Sequence, residues 1–155
     1  MKTGKVIGIF ITQKKGDSIL SLDQVHVLPS LGIEGDRYFD YRHNPEIDSK
    51  PGREITLIEM EAIESMRDGE GINISPEQTR RNILTRGISL NELVDHDFLV
   101  GDVQLHGVRL CEPCQYLADR TDQRVLQSMV HRGGLRADVV SAGIIRINDL
   151  ITYSD

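Results

Sequence analysis

Short runs of alternating or continuous apolar residues recur along the whole chain, and most of them are bounded by Gly, Asp or Asn. In residues 103–108, Val103 and Leu105 fall on one side and His106 and Val108 on the other, as in a half-buried strand. Comparable runs predict further strands at residues 6–12, 24–28, 54–58, 82–85, 137–140, 143–147 and 150–153.

Helical signals are fewer. Residues 59–67 are predicted to form a helix directly after a strand, and Ser75 and Ser89 each begin a capping-box pattern. The longest helix is predicted at residues 119–132, ended by the pair Gly133–Gly134. Residues 41–52 read as a long loop. Many short strands with scattered helices predict a mainly β fold (β-rich α+β), a barrel with a few short peripheral helices, rather than a doubly wound sheet.

The length and charge of the chain exclude several classes of protein. A chain of 155 residues suits a single domain spanning residues 1–155. A net charge of −6, with 5% aromatic residues and no Trp, argues against a general nucleic-acid binder. The apolar run at residues 6–11 is short for a signal peptide, and no stretch approaches the roughly 20 apolar residues of a membrane span. The sequence therefore predicts a cytoplasmic protein without a membrane partner.

Cys111 and Cys114 are the only cysteines, and they follow a predicted strand in the tetrad CEPC. In a reducing compartment, such a pair is more often reactive or metal-binding than a structural disulfide. Zinc would need two more ligands, for which His106 and His131 are the candidates. A thioredoxin-like redox pair, two buried small side chains, and a single nucleophilic or metal-ligating thiolate with a helper remain as alternatives.

Basic residues are distributed unevenly. All five lysines lie in the first third of the chain, and later cations other than histidine are arginines. No lysine near the cysteines is therefore available for a Schiff base, so the chain itself is not expected to bind pyridoxal phosphate. Arg109 and Arg120 could stabilise a thiolate. The polar clusters at 32–37, 79–82 and 132–136 are weak signals alone, but together they predict an anionic, phosphate-bearing ligand near a reactive sulfur.

Five segments resemble the MOSC domain, the module named for the C-terminal part of molybdenum-cofactor sulfurases. They are GIEGDRYF at 32–39, REITLIE at 53–59, TRRNILTRGISLNEL at 79–93, FLVGDVQLHGVRLCEPC at 98–114 and HRGGLRADVVSAGIIRINDLI at 131–151. They span nearly the whole chain, which resembles a small stand-alone member. The resemblance implies a closed, mainly antiparallel β-barrel with peripheral helices.

The resemblance also implies site residues. Cys114 matches the reactive cysteine of the family, which carries sulfur as a persulfide or ligates the metal where molybdenum cofactor is bound. Cys111 matches a partner cysteine found in a subset of members. Positions that resemble the family's pterin- or phosphate-contacting segments are Arg37, Arg80, Asn82 and Arg86.

Two functions follow from this resemblance. In the first, a sulfurtransferase-like carrier receives sulfur on Cys114 from a pyridoxal-dependent cysteine desulfurase. It delivers that sulfur to a molybdoenzyme or a cofactor-assembly acceptor, with Cys111 as the resolving thiol. In the second, Cys114 ligates molybdenum in a cofactor-dependent reductase of N-hydroxylated compounds. That enzyme would need an external electron donor, since the chain has no ferredoxin-like cysteines. A thiol-redox or structural module without cofactor is the third alternative.

Overall fold

A closed β-barrel dominates the computed structural model, which describes residues 1–45, 47 and 50–154. Within these residues, the strands of the barrel are β1 (Lys2–Ile11), β5 (Ile55–Glu59), β6 (Ile83–Arg86), β7 (Asp97–Val100), β8 (Val103–Leu110), β9 (Leu135–Val139) and β11 (Leu150–Tyr153). The seven strands pair in the ring order β1, β11, β7, β8, β9, β5, β6, and β1 pairs with both β11 and β6 to close the ring.

Six of the seven pairings in this ring are antiparallel, and only β5 and β6 run in parallel among the described residues. Parallel neighbours need a crossover connection, and here the helix α1 (Met60–Glu70) begins it directly after β5. The closed, mainly antiparallel barrel implied by the sequence is confirmed.

Smaller elements decorate the barrel. The strand β2 (Leu20–Ser21) extends the sheet from β1, and a second sheet contains β3 (Gln24–Leu28), β4 (Gly32–Ile33) and β10 (Gly143–Arg146) in the order β10, β3, β4. Single 3₁₀ turns lie at Tyr41–His43, Glu77–Thr79 and Leu90–Leu93. Positions 46, 48 and 49 of the predicted loop at 41–52 lie outside the described residues.

The predicted helix at 119–132 is wrong. Two short helices stand in its place, α2 (Gln115–Arg120) and α3 (Val125–Ser128), and α1 is the longest helix of the described residues. The break has a local cause. The hydroxyl of Thr121 donates to the carbonyl of Leu117, and the Asp122 carboxylate accepts from the backbone N–H of Arg124. These side-chain bonds satisfy two backbone groups, the carbonyl of Leu117 and the N–H of Arg124, that would otherwise need partners within a continuous helix.

Two apolar clusters pack on either side of the barrel wall. The larger cluster contains buried residues from all seven barrel strands, such as Val6, Leu57 and Leu105. The smaller one packs other residues of β1, β5 and β6 against the three helices, as with Leu84 and Met129. Alternation along the strands therefore leaves an apolar outer face, and α2 and α3 cover part of it. No helix among the described residues has the length and apolar character needed to span a bilayer.

Gly134 lies where β9 begins to pack against β5, and its φ is +110°. A Cβ atom at this position would overlap the carbonyl oxygen of Leu57. We expect Gly134→Ala to lower the free energy of unfolding by about 3 kcal/mol, because it combines a disfavoured backbone angle with a clash against backbone. Gly69→Ala in α1 is the matched control. A Cβ there meets no atom within 4 Å, so this change should stabilise by about 0.5–1 kcal/mol. Urea denaturation measures both, and equal effects would contradict this expectation.

Candidate functional site

A cavity of about 440 Å³ lies against the outer face of the barrel, and both cysteines line it. Its walls come from the end of β1, the turn at residues 36–38, the start of β5, the segment before β6, the segment after β8, β9 and α2. The sequence placed these segments far apart along the chain. The barrel brings them together because five of its strands are successive neighbours in the sheet, in the order β8, β9, β5, β6, β1.

The two thiols differ in accessibility. Cys111 follows the last residue of β8 and is 1% exposed, whereas Cys114 is exposed at the residue before α2. The backbone N–H of Cys111 donates to the carbonyl of Gly134 (2.7 Å), and the carbonyl of Cys114 accepts from Ala118 (3.0 Å). Both sulfurs are free thiols. One sulfur is therefore held inside the fold while the other can be reached by a second molecule.

Cations dominate the described lining of the cavity although the chain is acidic. The single carboxylate there is Asp36, and the basic residues are Lys15, Arg37, Arg53, Arg80, Arg81 and Arg136. The carboxylate of Asp36 accepts the backbone N–H groups of Thr12 (3.0 Å) and Tyr38 (3.2 Å), so it holds the turn together. Burial raises the pKa of Asp36 despite these bonds. The lining can therefore attract an anion with little opposition from its own acid.

Two tyrosines lie beneath guanidinium groups at this site. Arg37 stands over the ring of Tyr38 with its guanidinium carbon 4.5 Å from the ring centroid. Arg80 and Arg120 both lie over Tyr116, at 5.4 and 4.1 Å. The hydrogen bond with Arg120, and then the charges of Arg80, Arg120 and Arg37, hold the pKa of Tyr116 below its ordinary value. These cation–π contacts hold the guanidinium groups near the tyrosine rings at the cavity, where their N–H groups can reach an incoming acceptor.

Arg81 and Asn82 also line the cavity, but their polar atoms serve the fold. Arg81 is 8% exposed and donates to three backbone carbonyls, which belong to Thr79, Cys111 and Gly133. The side-chain oxygen of Asn82 accepts from the backbone and hydroxyl of Thr56, and its amide nitrogen donates to the carbonyl of Phe10. Asn82 thus bridges β5, β6 and β1.

The structure brings Arg37, Arg80 and Asn82 together with both cysteines, but it places Arg86 elsewhere. Arg86 ends β6 and makes two hydrogen bonds to the carboxylate of Glu64 on α1, at 3.1 and 3.0 Å. It does not line this cavity, and its ion pair with Glu64 links β6 to α1. The cofactor contact implied for Arg86 stays a prediction.

The two candidate histidines differ in their distance from the cysteines. His106 forms an ion pair with Asp97, with 2.7 Å between its Nδ1 and a carboxylate oxygen. His131 contacts the cysteine tetrad through Glu112, whose carboxylate accepts its backbone N–H (3.0 Å) and lies 3.7 Å from its Nδ1. No group of three or more His, Cys, Asp or Glu side chains in the described part of the chain is arranged to hold a metal ion. Arg109 donates to the carbonyl of Pro51. Zinc bound by the two cysteines and two histidines has no support in this geometry.

The sequence did not single out several residues of the cavity wall as ligands, namely Lys15, Tyr38, Arg53 and Tyr116. Arg136, which belongs to the predicted polar cluster at 132–136, is a lining residue whose direction the sequence does indicate. It stands between the buried residues Leu135 and Ala137, so its side chain leaves the barrel on the outer face. Lys15 and Arg53 precede or follow strands, where alternation gives no direction.

Comparisons with known proteins agree with this architecture. A model of the MOSC domain family matches residues 44–152. The YuaD protein from Bacillus subtilis has a similar structure, with a TM-score of 0.78 and 18% identity over 98% of this chain and 97% of that one. YiiM from Geobacillus stearothermophilus gives a TM-score of 0.72 and 12% identity, over 98% and 75%. YiiM from Escherichia coli gives 0.68 and 18%, over 97% and 72%. A comparison with curated protein sequences gives no match.

Proposed function

Because the chain belongs to the MOSC domain family, whose model covers residues 44–152, we propose that it is a sulfur carrier. In this proposal Cys114 receives sulfur as a persulfide, and the cavity beside it admits the anionic molybdenum cofactor or another metal–sulfur centre as acceptor. The observation that carries the proposal is the placement of one exposed and one buried thiol on the wall of a single cation-lined cavity.

The exposed position of Cys114 supports the loading step. A desulfurase partner would carry a persulfide, and the thiolate of Cys114 would attack its terminal sulfur. A new sulfur–sulfur bond then forms on Cys114, the bond in the partner's persulfide breaks, and the partner leaves as a thiolate. This exchange needs no oxidant, since the sulfur moves at an unchanged oxidation level. It requires the thiol of Cys114 to be reachable by another protein, and the structure has it exposed.

The buried Cys111 supports the release step. Its thiolate would attack the inner sulfur of the Cys114 persulfide, which forms a Cys111–Cys114 disulfide and expels hydrosulfide. The two cysteines supply the two electrons that reduce the terminal sulfur to sulfide. A dithiol reductant must then reduce the disulfide before another cycle. Cys111 is three residues from Cys114 and shares its cavity, so this attack is intramolecular.

The residues present fit the molybdenum cofactor. Guanidinium groups bind phosphate through two parallel hydrogen bonds, and Arg37 and Arg80 line the cavity, each held over a tyrosine ring. Lys15 and Arg136 add positive charge. A deprotonated Cys114 offers the soft sulfur that such a metal accepts. When bound, the cofactor would supply the redox chemistry of its metal, which no side chain here provides.

A second function is favoured by the same fit. If the cofactor stays bound with Cys114 as the molybdenum ligand, the protein would be a reductase of N-hydroxylated compounds. The specific observation in its favour is that Cys114 itself lies on the wall of the cationic cavity. The chain contains two cysteines in all, so electrons would have to come from a separate reductase.

Mass spectrometry without reductant and molybdenum analysis test these functions together. After incubation with a cysteine desulfurase and L-cysteine, the carrier should gain roughly 32 Da, one sulfur, on Cys114 and contain no stoichiometric metal. Stoichiometric molybdenum in protein purified from a cofactor-competent host would instead establish the reductase and contradict the pure carrier. If neither is found, the thiol-redox or structural alternative replaces both.

A further inference from the structure

Arg81 is a buried cation whose hydrogen bonds converge on the cysteine segment. Its Nη2 donates to the carbonyl of Cys111 (3.0 Å), its Nε to the carbonyl of Gly133 (2.8 Å) and its Nη1 to the carbonyl of Thr79 (3.1 Å). A guanidinium that is 8% exposed is costly unless its N–H groups are satisfied. The three carbonyls meet this need. One belongs to the segment of Arg81 itself, one to the cysteine segment and one to the residues that lead into β9.

The cysteine segment is also held through the backbone N–H of Cys111. The backbone N–H of Cys111 donates to the carbonyl of Gly134 (2.7 Å). At Gly133 an added Cβ would overlap the carbonyl oxygen of Cys111 and lie 3.4 Å from Nη2 of Arg81. Both the N–H and the C=O of the Cys111 backbone are therefore hydrogen-bonded, whereas Cys114, three residues later, is exposed.

We propose that Arg81 is a positioning residue for exchange between the two thiols. By holding the Cys111 carbonyl, it fixes the thiolate of Cys111 where it can attack a sulfur bonded to Cys114. The inference rests on the exchange step of the proposed function. In that step Arg81 would act through the backbone of Cys111, without contact to the sulfur donor or the sulfur acceptor. Intramolecular attack gains its rate from held geometry, and a displacement of about 1 Å can cost roughly 100-fold.

The neighbouring Arg80 has a different environment from Arg81, so we assign the two arginines different roles. Arg80 has a left-handed backbone (φ 62°) and stands over Tyr116. Arg81 uses its guanidinium on carbonyl groups of the protein itself. We therefore expect ligand binding to depend on Arg80, and the geometry of the cysteine pair to depend on Arg81.

Reaction with the aromatic disulfide DTNB tests the inference without sulfur carriage or cofactor. The thiolate of Cys114 attacks DTNB in a bimolecular step, which forms a mixed disulfide and releases one thionitrobenzoate. Cys111 then attacks the Cys114 sulfur, forms the protein disulfide and releases a second thionitrobenzoate. The second release is first-order and independent of DTNB concentration, so absorbance separates the two steps.

Arg81→Lys and Arg81→Gln should each slow the first-order release by roughly 10-fold or more. Arg81→Lys, which keeps the positive charge of the cavity, should leave the bimolecular step unchanged. Lysine keeps the charge but has a single nitrogen to serve three carbonyls, so it tests geometry rather than charge. If Arg81→Gln does not fold, Arg81→Lys alone still tests the inference. Arg132→Gln is the matched control, because Arg132 bonds to Glu70 and to Ser128 rather than to the cysteine segment.

The outcomes separate this inference from the proposed function. A folded Arg81→Lys protein with the first-order rate of the native protein would overturn the inference, and so would an equal loss in Arg132→Gln. Release of only one thionitrobenzoate by the native protein would overturn it as well. If the exchange slows as expected but neither persulfide nor molybdenum is ever found, the inference stands and the sulfur carrier fails.

Discussion

Cys114→Ser is expected to abolish persulfide loading completely. A serine hydroxyl has nearly the volume of the thiol, but it is not ionised near neutral pH and forms no persulfide, so the change removes the chemistry alone. Because Cys114 is exposed, the free energy of unfolding should change by no more than about 0.5 kcal/mol. Incubation with a desulfurase and L-cysteine, followed by intact-mass measurement, checks the result. The 32 Da (roughly one sulfur) adduct of the native protein should be absent.

The control for this loss is Cys111→Ala, which should still load sulfur on Cys114. Persulfide found at equal yield in the Cys114→Ser protein would place the sulfur elsewhere and contradict the assignment of Cys114. If the native protein instead contains molybdenum, the same substitution should remove the metal. Either result makes Cys114 the residue on which activity depends. In the first case Cys114 carries a persulfide sulfur, and in the second it ligates molybdenum.

Much of the barrel could be predicted because strand alternation is local. The strands predicted at 24–28 and 150–153 coincide with β3 and β11, and the run at 103–108 continues to Leu110. β7 (Asp97–Val100) was missed, because its three apolar residues are consecutive and their sequence does not show the alternation of buried and exposed positions that the structure has. Ring closure between β1 and β11 depends on pairing across the whole chain. The expectation of a closed barrel came from the resemblance and not from periodicity, and neither gave the pairing of β1 with β11.

Helices were less predictable because competing side-chain bonds decide where they stop. The capping pattern at Ser75 forms in part, since Gln78 accepts from both the N–H and the hydroxyl of Ser75. Only a 3₁₀ turn follows, because Arg80 adopts a left-handed backbone (φ 62°) that ends it. At 119–132, Thr121 and Asp122 interrupt the predicted helix by bonding to the backbone. Such breaks depend on rotamers that composition does not specify.

The arginines show the limit of sequence analysis at the site. Arg80, Arg81 and Arg86 lie within eight residues, yet one stacks on Tyr116, one binds three carbonyls and one pairs with Glu64. Each role depends on which segment the barrel brings opposite the side chain. The cysteine pair needed no such information, because two thiols three residues apart share a neighbourhood in almost any fold.

Cys111→Ala should load sulfur normally but fail to release it, because Cys114 accepts the sulfur and Cys111 is needed to release it. Without Cys111 no second thiol in the chain can attack the Cys114 persulfide, so hydrosulfide release in the absence of added thiol should fall to the background rate. Alanine is preferable to serine here because Cys111 is 1% exposed and a buried hydroxyl without a partner costs roughly 1–3 kcal/mol. Methylene-blue detection of sulfide after single loading measures the release.

Added dithiothreitol is the control for this loss, because an external dithiol should restore sulfide release from the Cys111→Ala persulfide. Native-like release without dithiol would show that another group discharges Cys114, and it would remove Cys111 from the mechanism. The substitution also separates the two candidate functions. A protein that uses Cys114 only as a molybdenum ligand should keep its metal content after Cys111→Ala, whereas a carrier needs both thiols for every turnover that ends in sulfide.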